Sequence, residues 1–241
     1  MSAHLVGLLG KVGQFNNSLV PDIFRSRTTR KTPVVGLYSI MPSPATPKSW
    51  PQEVLYLSQL QYARNVDRNV FASSTDSTLP ICSFSAGPCT LVKIVTITDP
   101  ANPAHGGCGL FAARNLPPDS IILFYLGFVH GEDDADVASN YDLSFDRERQ
   151  IGIDASRMGN EARFINDYRG IRKAGPNAEF RDCYADLGGG RLEKRIGVFV
   201  LGAGQRGKRA KGIAKGEEIV VSYGKGFWTH RKPQDHGLEN D

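Results

Sequence analysis

Apolar residues in this chain fall in short runs separated by Gly, Pro and Asp, not along one long stripe. From residue 89 onward, such runs occupy 91–97, 121–125, 150–154, 196–201 and 218–221. Runs of this length, bounded by turn residues, predict short β-strands. Only short helical stretches fit between them, the best being 158–164. The pattern predicts a mainly β fold, a β-rich α+β arrangement, and excludes a doubly wound parallel sheet. Upstream, 49–64 reads as a helix. Ser49 and Gln52 have the spacing of a capping box, Pro51 falls in the first turn, and Val54, Leu57, Leu60 and Ala63 recur near a helical period. Residues 72–88, rich in Ser, Thr and Pro, read as a linker. The expected organisation is a flexible leader over 1–48, helix and linker over 49–88, one domain over 89–228, and a tail over 229–241.

Composition narrows this picture. A chain of 241 residues buries a core without needing a metal or disulfide staple. Its longest apolar run, 121–129, is nine residues and contains Gly127, whereas a membrane-spanning helix needs about 20. Glycine numbers 26, above the usual share of about 7%, which suits many turns. The net charge of +4 is unevenly placed: residues 1–50 hold six Lys/Arg against Asp22 alone, and the remainder carries 23 against 24 acids. The body is thus near neutral, and nucleic acid is not expected as a direct ligand. The leader is acid-poor with Arg and Ser, features shared with mitochondrial transit peptides, but its early glycines weaken an amphipathic helix.

Cys82, Cys89, Cys108 and Cys183 have no C-x-x-C spacing. They predict free thiols in a reducing compartment and no zinc site. The stretch Gly106-Gly107-Cys108-Gly109 lacks the Lys-Ser/Thr ending of a phosphate loop. No G-x-S-x-G or H-E-x-x-H occurs, so the usual hydrolase signatures are missing. The acidic run Glu132-Asp133-Asp134-Ala135-Asp136 reads first as a solvated loop and second as an attractor of basic peptides. The basic run 206–211 reads as a hairpin tip.

Four ordered stretches carry a resemblance. They are Gly107-Cys108-Gly109-Leu110-Phe111-Ala112; Tyr125-Leu126-Gly127; Ile153-Asp154-Ala155 with Gly159-Asn160, Ala162-Arg163-Phe164-Ile165-Asn166 and Pro176-Asn177-Ala178; and Gly216-Glu217-Glu218-Ile219 with Ser222-Tyr223-Gly224 and Phe227-Trp228. Over roughly 90–228 this set resembles the SET-domain protein-lysine methyltransferases. The resemblance implies small curled β-sheets around a C-terminal pseudoknot, in which the segment holding Tyr223 passes through a loop near Asn166.

It also implies the cofactor S-adenosyl-L-methionine and transfer of its methyl group to a lysine amine of a protein, a histone tail or another substrate. By resemblance, Gly107, Cys108, Gly109, Leu110, Tyr141, Arg163, Phe164, Asn166, Asp167, Tyr223 and Trp228 are cofactor-side positions. Tyr125, Tyr141, Val221 and Phe227 line the lysine channel, and Tyr223 is the catalytic tyrosine. No metal is implied, and no membrane. The expected location is intracellular, nuclear or cytoplasmic ahead of mitochondrial.

Three departures stand out. Asp167 follows the motif Asn where the family commonly has His, and an ionised Asp cannot reproduce that donor. Val221 stands where Phe or Tyr is frequent, leaving more space and predicting di- or trimethylation. The cysteine-rich flanks of many chromatin-directed relatives are missing. Asp167 is the feature behind the alternative reading, an inactive SET-type module serving as an interaction scaffold.

Overall fold

The computed structural model describes residues 46–72, 78–204 and 209–224. Residues 1–45 of the leader, 206–208 of the basic run, the tail, Phe227 and Trp228 therefore lie outside the described residues. Strands in chain order are β1 Leu55–Tyr56, β2 Gln61–Tyr62, β3 Ile81–Ser83, β4 Val92–Thr96, β5 Cys108–Ala112, β6 Ile121–Phe124, β7 Phe128–His130, β8 Asp142–Asp146, β9 Ile151–Asp154, β10 Met158–Gly159, β11 Asn166–Asp167, β12 Ala178–Asp186, β13 Leu192–Val200 and β14 Val220–Val221. Helical structure among the described residues is limited to short 3-10 turns. None is long and apolar enough to cross a membrane.

The expected mainly β fold of small sheets is what forms. One four-stranded sheet runs β3-β12-β13-β6 and another β2-β7-β9-β8, with two-stranded pairs β4-β5, β1-β10 and β11-β14. The first sheet is built on the β12-β13 hairpin. Its turn contains Gly188, Gly189 and Gly190, all with positive φ, a conformation that side-chain-bearing residues resist. The second half of β13 and all of β9 are then buried on both faces. Ile196, Val198 and Val200 on β13, and Ile153 on β9, are fully or almost fully buried, each such side chain contributing about 1.5–3 kcal/mol. Cys183 joins this core. All four cysteines are free, and burial pushes the Cys183 thiol up to about 12, so it packs as an apolar group.

The predicted helix over 49–64 does not form. Ser49 has φ 67, in the left-handed region, whereas a helix N-cap is extended. Sheet edges then outcompete the helix for backbone partners. Leu55 N–H donates to Arg157 O (3.0 Å), Leu57 N–H to Gly159 O (2.7 Å) and Ala63 N–H to Val129 O (2.9 Å). The residues read as a helical stripe, Val54, Leu57, Leu60 and Ala63, are nonetheless buried. They reach the core by strand and turn instead. Within the predicted linker, β3 pairs in parallel with β12, so that segment is part of the first sheet. The other expected helix, 158–164, divides into β10 and a 3-10 turn, Glu161–Phe164. Between them Asn160 donates to Phe124 O (2.9 Å) and accepts from Leu126 N–H (3.2 Å), which ties the chain to the end of β6.

Candidate functional site

The last strand, β14, lies between two parts of one loop. On one side it pairs in parallel with β11, Asn166 opposite Val220 and Asp167 opposite Val221. On the other, Asn177 N–H donates to Val220 O (3.1 Å), and Val220 N–H donates to Asn177 Oδ1 (2.8 Å). Asn177 Nδ2 adds a bond to Glu218 O (2.8 Å). This is the expected crossing, and it delivers Tyr223 to residues some 57 positions earlier.

Asp167 has a defined role there. Its Oδ2 accepts Tyr223 N–H at 2.7 Å, and its carboxylate is bridged by Arg169 at 2.8 Å. A donor at this position would face another donor, the Tyr223 amide. The acidic side chain is therefore the chemically matched choice for this crossing.

Tyr223 donates its hydroxyl to Ile165 O at 2.6 Å. Tyr223 also lines the adjoining cleft. That cleft is lined by Tyr125, Asn140, Tyr141, Leu143, Ala162, Arg163, Ile165, Phe180 and Tyr223, with a volume of ≈ 20 Å³, room for about one water molecule. Tyr125 is buried and donates to Tyr141 O at 2.6 Å; burial holds its pKa well above the usual phenol value, so it stays a donor. Phe180 meets Tyr125 edge-on, 5.6 Å between centroids. Tyr141, 37% exposed, forms the outer wall. Its ring is backed by the Arg163 guanidinium at 4.4 Å, whose Nε and Nη2 donate to Ala155 O and Ser156 O.

A second group meets at the start of β5. Asn166 Nδ2 donates to Cys108 O (3.2 Å) and to Glu218 Oε1 (2.9 Å). Gly109 is needed here because a Cβ would fall 2.6 Å from Glu218 Oε1. The crowding is thus within the protein, at a glycine the resemblance placed on the cofactor side.

The expected site residues therefore divide. Tyr125, Tyr141, Arg163 and Tyr223 share the cleft; Cys108, Gly109 and Asn166 share the second cluster; Gly107 sits in the preceding turn, bonded to Ala104 and Ile97; Asp167 braces Tyr223 from behind. Leu110 and Val221 are fully buried in the core, and Val221 is not in the cleft wall. Phe164 packs edge-on against Trp50 (5.7 Å). Sequence reasoning gave no role to Phe180, Asn177 or Glu218. The last two stood inside quoted motifs, which was the available signal.

Next to the cleft, His130 on β7 is buried. Its Nδ1 donates to Gly131 O (3.0 Å) and its Nε2 faces Asp142 Oδ1 (3.3 Å) on β8. The Asp142 carboxylate raises the imidazole pKa, and burial opposes it less strongly. A raised folded pKa means stability that is complete below the unfolded value of about 6.5 and lost as pH rises through the folded pKa. Urea midpoints measured from pH 5.5 to 9 should fall across that window, and His130→Gln should flatten the fall. An unchanged slope in the variant would assign it to another group.

The SET domain family matches residues 107–224. No curated protein sequence matches the chain. Among solved structures it is similar to the apo ctPRC2 complex with two substitutions in Ezh2, at 25% identity and TM-score 0.42, over 57% of this chain and 15% of that one. It is also similar to the Chaetomium thermophilum polycomb repressive complex 2 at 24% and 0.42, over 58% and 16%. A third is ctPRC2 in an autoinhibited conformation bound to S-adenosylmethionine, at 23% and 0.40, over 54% and 15%. The chain thus spans 15–16% of the length of these relatives.

Proposed function

We propose that this chain, whose residues 107–224 match the SET domain family, is an S-adenosylmethionine-dependent methyltransferase acting on a lysine amine of a protein substrate. The observation that carries this reading is the position of Tyr223. The crossing sets its hydroxyl in a cleft with Tyr125 and Tyr141, beside the turn where Asn166 meets Cys108.

The donor set suits the cofactor. Carbonyl, amide and carboxylate oxygens of Cys108, Asn166 and Glu218 gather at one end, an acceptor-rich environment for an ammonium group. When bound, the cofactor supplies an electrophilic methyl group on a sulfonium. The chain's own residues align the amine and exclude water. The aromatic walls disfavour a charged ammonium and lower the lysine pKa, so the proton leaves to solvent before transfer. Tyr223 Oη, its own proton held by Ile165 O, orients the neutral amine.

Phe180, and not Val221, narrows the cleft, which favours addition of a single methyl group over the di- or trimethylation that Val221 alone suggested. The cleft's small volume also means that it must widen before a lysine side chain enters. That closed cleft is the one observation favouring the alternative, a SET module that binds a partner without turnover.

Calorimetric titration with S-adenosylmethionine tests the cofactor reading. Saturable one-to-one binding is expected, weakened about tenfold in Asn166→Ala, the loss of one hydrogen bond to a charged group. A folded wild-type protein that binds none would leave the partner-binding module as the better account.

A further inference from the structure

Glu218 fixes which way round the Asn166 amide stands. The Asn166 nitrogen has two protons, and both are used: one on Cys108 O at 3.2 Å and one on Glu218 Oε1 at 2.9 Å. A carbonyl and an ionised carboxylate accept and do not donate. Flipping the amide would set its oxygen against both, so the network forces a single orientation. Asn166 Oδ1 accepts no hydrogen bond from any described residue. Glu218 is itself fixed. Its N-terminal neighbour's carbonyl accepts Ala112 N–H and Ile219 N–H donates to Leu110 O, while Oε2 lies 3.5 Å from Asn102 Nδ2. The space its carboxylate fills exists because residue 109 lacks a Cβ.

We infer that Glu218 is a positioning residue for cofactor selection. By consuming an Asn166 proton it leaves Asn166 only an acceptor, so that this side chain reads the α-ammonium of the methionine moiety and has nothing to offer its carboxylate. The resemblance gave Asn166 only as a cofactor-side position, and this narrows its role to one end of the ligand. The inference rests on the cofactor reading proposed above.

The test separates the amino-acid end of the ligand from its nucleoside end. S-adenosylhomocysteine carries the α-ammonium and 5′-methylthioadenosine does not. Calorimetry on the full chain compares wild type, Glu218→Ala, Asn166→Ala and the double variant with both ligands. Glu218→Ala should weaken S-adenosylhomocysteine about tenfold and change methylthioadenosine by less than about twofold. The double variant should bind no more weakly than Asn166→Ala alone, because one residue acts through the other. Glu218→Asp, which keeps the charge but withdraws the carboxylate from Asn166, should show the same selective loss and serves if the Ala variant does not fold. Equal losses for both ligands, additive losses in the double variant, or full affinity in Glu218→Asp would each overturn the inference. A wild-type protein that binds neither ligand would overturn the cofactor reading itself, and this inference with it.

Discussion

Glu193→Ala is expected to lower stability to unfolding by about 3–5 kcal/mol. Arg195 is 2% exposed and lies two residues along β13 from Glu193, on the same face. Its Nη2 is bridged to Glu193 Oε1 at 3.1 Å, while Nε and Nη1 have no hydrogen-bond partner among the described residues. Burial already pulls the guanidinium pKa down, and the Glu193 carboxylate is the main force holding it up. Removing that carboxylate would strand a charge in the core. It would also free the Tyr62 phenol, which donates to Glu193, and with it the attachment of β2. Set against a typical total of about 5–15 kcal/mol, the loss is a fifth or more. Chemical unfolding monitored by fluorescence would measure it. Replacing both members, Glu193→Leu with Arg195→Met, should recover most of the loss. A double variant as unstable as the single one would refute the uncompensated-charge explanation.

Tyr223→Phe should lower the methyl-transfer rate by about 10²–10³-fold, the usual effect of deleting one preorganised polar group at a reacting centre. Cofactor affinity should stay within about twofold. The ring would remain held, because Tyr223 N–H bonds to Asp167 whether or not the hydroxyl is present. What disappears is the oxygen whose proton is directed to Ile165 O. Transfer of labelled methyl to protein substrates, with cofactor binding measured alongside, reads both quantities. An unchanged rate would reduce the hydroxyl to a prop for the Ile165 carbonyl, and a loss of binding equal to the loss of rate would make its role structural.

Much of the architecture was legible because strands leave a local trace. Val92–Thr96, Ile121–Phe124 and Ile151–Asp154 show apolar runs between turn residues, and each forms within the expected span. β12 was missed because Arg181, Asp182 and Tyr184 interrupt its apolar positions; it is held by pairing on both sides, which no local window shows. The helix over 49–64 was misread for a related reason. A stripe at 54, 57, 60 and 63 is compatible with one helix or with two short strands and a turn, and only the edges of β7 and β10 decide between them. Within the site, Tyr223, Asn166 and Tyr125 were found through motifs. Their partners were not: Asp167 to Tyr223 spans 56 positions and Asn166 to Glu218 spans 52, and hydrogen bonds at such separations have no sequence period.

The pairing of β14 with β11 also has a kinetic meaning. A strand of two residues gains little by itself, and closing the chain over more than 50 residues costs loop entropy first. Its bonds reward that closure only when residues 166–168 and Asn177 already stand on either side. The sheets around β12, β13 and β9 therefore assemble before the segment carrying Tyr223 locks in, as expected for a chain rich in distant contacts. During refolding, the seating of Tyr223 should trail the recovery of β-structure, and a molecule with complete sheets can still be waiting for its crossing to close.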